Sequence, residues 1–242
     1  MWRWLREASR RAFLLSMLVG WAVMALASLV YFEPDVLAPF VIEKLPLRFE
    51  ALWLASLELH VASALLSFPL CIALMTRTLQ RRPVLHRWLG RLAGLSVLFV
   101  LVPSGVVLAF DAKGGTWVTA GFLLSGAIVA ACMASGIRPA RRRDLVSHGR
   151  AMRHVMAQMS VAVSSRAMIV ALDAAGVEPE LSYVVALWVP VLGSTLAAEL
   201  ISTKSLSFSP LSTLRRIHRD VASFAVLVRV RSFIRPVARL GR

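Results

Sequence analysis

Residues Leu92–Phe110 read LAGLSVLFVLVPSGVVLAF, nineteen residues without a charged side chain. Thr116–Ile137, TWVTAGFLLSGAIVAACMASGI, adds twenty-two more, and only Asp111–Gly115 stands between the two runs. A helix crosses the hydrocarbon of a bilayer with roughly 17–25 apolar residues. Both runs qualify. A transmembrane β-barrel would instead show runs of about 10 residues alternating in polarity, and none are visible.

Four further runs of the same kind lie at Ala12–Phe32, Ala51–Thr76, Ala151–Leu172 and Leu181–Ile201. Of the 242 residues 58% are apolar, and mean hydropathy is +0.70; soluble domains sit at about 45–50% apolar. One soluble domain of this length is excluded, and so is a disordered chain. The expected fold is all-α: a polytopic membrane bundle of six transmembrane helices over residues 12–202, between a basic tail at 1–11 and another at 203–242. The first run opens like a signal peptide, with Arg3, Arg6, Arg10 and Arg11 ahead of it and Ala25-Leu26-Ala27 as a cleavage-like site. Its twenty-one residues, apolar to Phe32, favour an uncleaved anchor. Cys71 and Cys132 lie inside apolar runs and in no CxxC, so they read as small core residues.

The formal net charge of +15 comes from 28 Lys+Arg against 13 Asp+Glu. With both termini cytoplasmic, the N-terminal tail carries four basic residues, the 77–91 loop five, the 138–153 loop six and the C-terminal tail nine. The opposite side has only Lys44, Arg48 and Lys113, while eight acids lie there and three inside. An excess of Lys and Arg marks cytoplasmic loops, which places both termini inside. In the tail, Leu211, Leu214, Ile217, Val221, Phe224 and Val228 recur at spacings of three and four with arginines between them. That pattern predicts an amphipathic helix on the anionic inner leaflet. No reader motif accompanies it, which argues against nucleic acid as a partner.

An ionisable side chain in hydrocarbon costs about 2.5–3.5 kcal/mol on insertion scales and marks a functional site by default. Glu58 and His60 in span two and Arg166 in span five are such residues. At 1.5 Å per residue, His60 is ~14 Å and Arg166 ~9 Å below the outer surface. Two readings stand: a structural Glu58–Arg166 ion pair tying the spans together, or a Glu58, His60 and Arg166 site open to the outer half of the membrane.

A second group gathers at the inner level: His86 at the start of span three, His148, Arg150 and His154 around the start of span five, and Glu199 ~27 Å down span six. Such residues ligate a haem iron, bind a metal or relay protons to a quinone, or they are interfacial groups bonded to water and lipid phosphate. His60 stands alone at the outer level, so a two-haem cytochrome b, with two ligands at each of two levels, is excluded. His148 and His154 lie about 240° apart around a helix, which weakens the metal reading. No Walker loop, GxSxG or HExxH is present. Gly90-xxx-Gly94 and Gly121-xxx-Ser125 read as close-packing devices, and Pro69, Pro103 and Pro190 as candidate kinks.

Several of these residues recur in a fixed order. His60 precedes Ala62-Ser63; Arg-Arg-Pro-x-Leu-His-Arg-x-x-Gly-Arg occupies Arg81–Arg91; and Gly121-Phe122 follows in span four. Arg-Arg-Asp-x-x-x-His at Arg142–His148 leads to Met152 and Arg166, and then come Trp188-Val189-Pro190 and Ala198-Glu199. In this order, over about residues 50–202, the chain resembles a family of bacterial integral membrane proteins catalogued as domain of unknown function 2306. Ala151, His154 and Val191 stand where that family's pattern has tryptophan, arginine and asparagine. The resemblance implies a multi-pass protein of the bacterial inner membrane, marked at His60, His86, His148, Arg166 and Glu199, and it supplies no activity.

The function expected is a redox-linked bundle holding one haem b or a quinone near the cytoplasmic face, through His86, His148, His154, Arg150 and Glu199. Arginine there pairs with propionates or a quinone carbonyl. The alternatives are a proton-coupled small-molecule transporter using Glu58, His60 and Arg166, and a non-catalytic subunit or assembly factor with membrane-protein partners. Six spans without an evident inverted repeat tell against the transporter.

Overall fold

Pro83 and Asp144 decide where two of the membrane helices begin. Proline at the first helical position gives up an N–H that has no partner there anyway, and the helix runs on from Pro83. The Asp144 carboxylate accepts from the Ser147 amide at 3.2 Å and from its hydroxyl at 2.6 Å, capping a helix that starts at Leu145. Much of the 77–91 and 138–153 stretches, expected as loops, is therefore helical. Hydropathy reports which residues meet hydrocarbon, and these helices continue past it through polar residues.

The computed structural model describes residues 2–33, 39–42, 44, 46–47 and 49–207. Among them six helices are long and apolar enough to cross a membrane, and no strand occurs. They are α1 (Trp2–Ser28), α2 (Glu50–Leu74), α3 (Pro83–Ala109), α4 (Gly115–Arg141), α5 (Leu145–Ala174) and α6 (Pro179–Ser207). The amphipathic helix expected in the 203–242 tail lies outside the described residues beyond Ser207. All three proline positions fall inside helices. Within α3, Val97–Leu101 is a π-helical segment that ends two residues before Pro103, and the Val102 amide reaches back five residues to Val97. Proline cannot donate to the carbonyl four residues earlier, and a π turn is one way for the backbone to reorganise around it.

The chain divides into two compact units, Met1–Ala198 and Glu199–Arg242. The second contributes only the end of α6 to the described residues. The main core of the first unit gathers Met17 of α1, Phe68, Cys71 and Ile72 of α2, Val97 and Leu101 of α3, Val129 and Met133 of α4, and Val155, Met156 and Met159 of α5. Leu187 and Val191 of α6 meet Val118 and Val161 in a smaller cluster. Cys71 is buried in the main core and Cys132 packs against it, both as free thiols.

Gly121-xxx-Ser125 packs as expected, with Gly121 under Leu187 and Trp188 of α6 and Ser125 bonded to α5. Gly90-xxx-Gly94 does not. A side chain at either position would meet open space, so this pair faces no neighbouring helix among the described residues. Small residues permit a close approach without requiring one. At one end of the bundle Glu7 of α1 pairs with Arg77 at 2.6 Å, and the Arg10 guanidinium donates to the Met75 carbonyl. The start of α1 therefore sits beside the end of α2. The outward surface is Leu, Val and Phe, with Leu26, Phe99 and Val170 all exposed, as lipid demands.

Candidate functional site

Two polar groups occupy different levels of the first unit. The first lies where α3 and α5 begin and α4 ends. His148 places Nδ1 3.0 Å from the Gly136 carbonyl. A carbonyl only accepts, so Nδ1 carries the proton and Nε2 of the neutral ring keeps a lone pair. Gly136 leaves room around this contact: a Cβ there would lie 2.6 Å from Met152 Cε, the movable end of its side chain, and 3.3 Å from Ala151 Cβ. His86, one turn into α3, interacts electrostatically with His148, and its own Nδ1 is buried without a hydrogen-bond partner. An unsatisfied buried polar atom costs about 1–3 kcal/mol, a cost that a bound group would remove. Both rings are half-buried, and exposed Leu85, Trp88, Leu145 and Val146 flank them in the chain. The pair is thus open to approach from the lipid side.

The other residues expected at this level are arranged differently. Arg150 is exposed and His154 half-buried, each engaged by another group. Glu199 belongs to the second unit. Among the described residues no three His, Cys, Asp or Glu side chains are placed to hold a metal ion.

The second group centres on His60. Its Nδ1 is 3.0 Å from the Leu101 carbonyl and 3.2 Å from the Ser104 hydroxyl, and that hydroxyl donates to Val100 at 2.6 Å. The π segment and Pro103 of α3 thus present the backbone to the imidazole. Gly105 is its neighbour, for a Cβ at that position would lie 3.0 Å from His60 Cε1. Again Nδ1 holds the proton and Nε2 is left over. Arg166 donates to Ala162 in its own helix at 2.8 Å, and its charge interacts with His60 and Tyr31. Glu58 takes no part. Two residues before His60 it is turned about 200° away on the helix, it is exposed, and no ion pair joins it to Arg166 among the described residues. The expected Glu58–Arg166 bridge is not formed, because His60 occupies the inward-facing position on α2.

Between the two levels lies Gln158, which the sequence reading passed over. It is 3% exposed. Ser125 of α4 donates to its Oε1 at 2.8 Å, while its Nε2 donates to the Val191 carbonyl at 3.1 Å and to the Thr195 hydroxyl at 2.6 Å on α6. One side chain of α5 thereby joins α4 to α6. A lone glutamine inside an apolar span was the available signal.

The family profile described as predicted membrane protein (DUF2306) matches residues 57–202. The chain belongs to the DUF2306 family. No curated protein and no solved structure matches it. The DUF2306 region takes in both histidine groups and Gln158 and begins after α1.

Proposed function

We propose that this DUF2306 protein is a redox-linked membrane bundle that holds a quinone, or one haem b, at His86 and His148. The observation that supports it is the orphaned, buried Nδ1 of His86 within electrostatic range of a His148 ring whose free nitrogen is defined by its bond to Gly136. A quinol hydroxyl donates a hydrogen bond, and a neutral imidazole with a free lone pair accepts one and can take up its proton. The flanking lipid-facing leucines and Trp88 suit a ligand that arrives from the bilayer. On the charge distribution, this end faces the cytoplasm of a bacterial inner membrane, with both termini on that side.

The test is the absorption spectrum of the protein purified in mild detergent, oxidised and then dithionite-reduced, with solvent extraction of any bound quinone. The expected result is near one haem or one quinone per chain, lost in His86→Ala and His148→Ala while the protein remains folded. A colourless protein from haem-sufficient cells that also yields no quinone overturns the reading. A transport role for His60 and Arg166 rests on the free Nε2 of His60 close to an arginine charge. It is separated from the redox role by proteoliposome flux, which His60→Ala would abolish and His148→Ala would spare.

A further inference from the structure

A cavity of about 520 Å³ opens at the last turns of α4, lined by Ala134, Ser135, Arg138, Pro139, Arg142 and Asp144. Arg138 and Arg142 are one turn apart, so both guanidiniums project from one face of the helix. Neither has a carboxylate partner among the described residues, and both are exposed. Asp144, the acid of the cavity, is committed to capping α5 through Ser147, and the Ser135 hydroxyl donates back to Cys132 at 3.1 Å. The cavity's free donors are therefore the two guanidiniums.

Its position matters as much as its charge. The uncharged run ends at Ile137, and Arg138 is the first ionisable residue after it, so the cavity sits where hydrocarbon gives way to headgroups. Ile137 is exposed beside it, and Ala134 and Pro139 supply apolar walls. Around α4 the cavity lies about 130° from Gly136, so it is separate from the histidine pair. Two forked cations at headgroup depth, next to a surface for hydrocarbon, match a phosphate with an acyl chain attached.

We infer that this cavity is a phosphate-binding site for the headgroup of an anionic phospholipid, with Arg138 and Arg142 as the ligating residues. The inference stands independently of the redox reading. The guanidinium planes grip phosphate oxygens in pairs, where a lysine would act only as a point charge. Because the site is built into a helix end next to the α5 cap, an occupied cavity steadies the α4–α5 turn, where Arg143 is held in the left-handed region at φ 60°.

The experiment follows the thermal midpoint of the delipidated full-length protein in phosphatidylcholine nanodiscs, titrated with phosphatidylglycerol or, separately, with inorganic phosphate. The expected result is stabilisation by phosphatidylglycerol, with apparent affinity falling about tenfold or more in R138Q/R142Q. Equal loss for inorganic phosphate keeps the phosphate site and identifies the free ion as sufficient. Equal affinity in the wild type and R138Q/R142Q, or no preference over phosphatidylcholine, overturns the inference. If R138Q/R142Q does not fold, R138K/R142K decides: weaker binding at unchanged charge supports the forked site, and undiminished binding overturns it.

Discussion

Where α4 meets α5, the small size of residue 136 sets how closely the helices approach, and with it whether His148 reaches a carbonyl on its neighbour. A Cβ at residue 136 would lie 2.6 Å from the Met152 methyl and 3.6 Å from His148 Nδ1. Methionine yields at modest cost, so Gly136→Ala is expected to be mild. Gly136→Val must push the helices apart, breaking the His148–Gly136 bond and costing on the order of 1–3 kcal/mol as overpacking does. Gly94→Ala, which meets nothing, serves as the neutral control, and thermal unfolding in detergent ranks the three. Gln158 makes the complementary case. Replacing it by leucine leaves hydroxyls on α4 and α6 to find other partners, so Gln158→Leu is expected to cost about 1–2 kcal/mol. An unfolding midpoint equal to wild type would show that the α4–α5–α6 junction does not depend on it.

At the scale of elements, hydropathy located every membrane helix and misplaced several starts, since caps and a proline act on residues that lie outside the hydrocarbon. Asp144 and Pro83 were readable as start signals; that polar residues would carry the helices beyond the apolar runs was not. The π segment of α3 left a partial trace, namely Pro103, but a proline does not specify which backbone rearrangement it causes. Pairing across helices was the least legible level. Gly121-xxx-Ser125 and Gly90-xxx-Gly94 have the same spacing, yet among the described residues only the first has a helix opposite it, and nothing in either motif distinguishes them. The start of α6 offers a prediction of its own. Glu178 accepts from the amides of Leu181 at 2.9 Å and Glu180 at 3.1 Å, and these bonds hold its carboxyl below the usual glutamate value of about 4.3. A depressed acid stabilises the folded state above its unfolded pKa and ceases to do so as pH falls through the folded one. Amide exchange at Leu181 is therefore expected to be slower in wild type than in Glu178→Gln at neutral pH, and the two should converge in strong acid.

Across the whole molecule, charge placement and helix connectivity make one joint statement about orientation. In the proposed orientation the sequence assigns 24 of the 28 basic residues to the cytoplasmic side, and the Glu7–Arg77 pair places the start of α1 beside the end of α2. An even number of spans returns the chain to the side on which it began. Single cysteines separate this topology from its inverse. Cys71, buried, and Cys132, within a span, are shielded by protein or lipid. In intact cells a membrane-impermeant maleimide is therefore expected to label Lys113→Cys and to leave Arg82→Cys and Arg143→Cys unlabelled until the membrane is broken. Labelling of Arg82→Cys or Arg143→Cys from outside would invert the bundle. The histidine pair and the arginine cavity would then face the opposite leaflet, and a proton released at His148 would enter the other compartment.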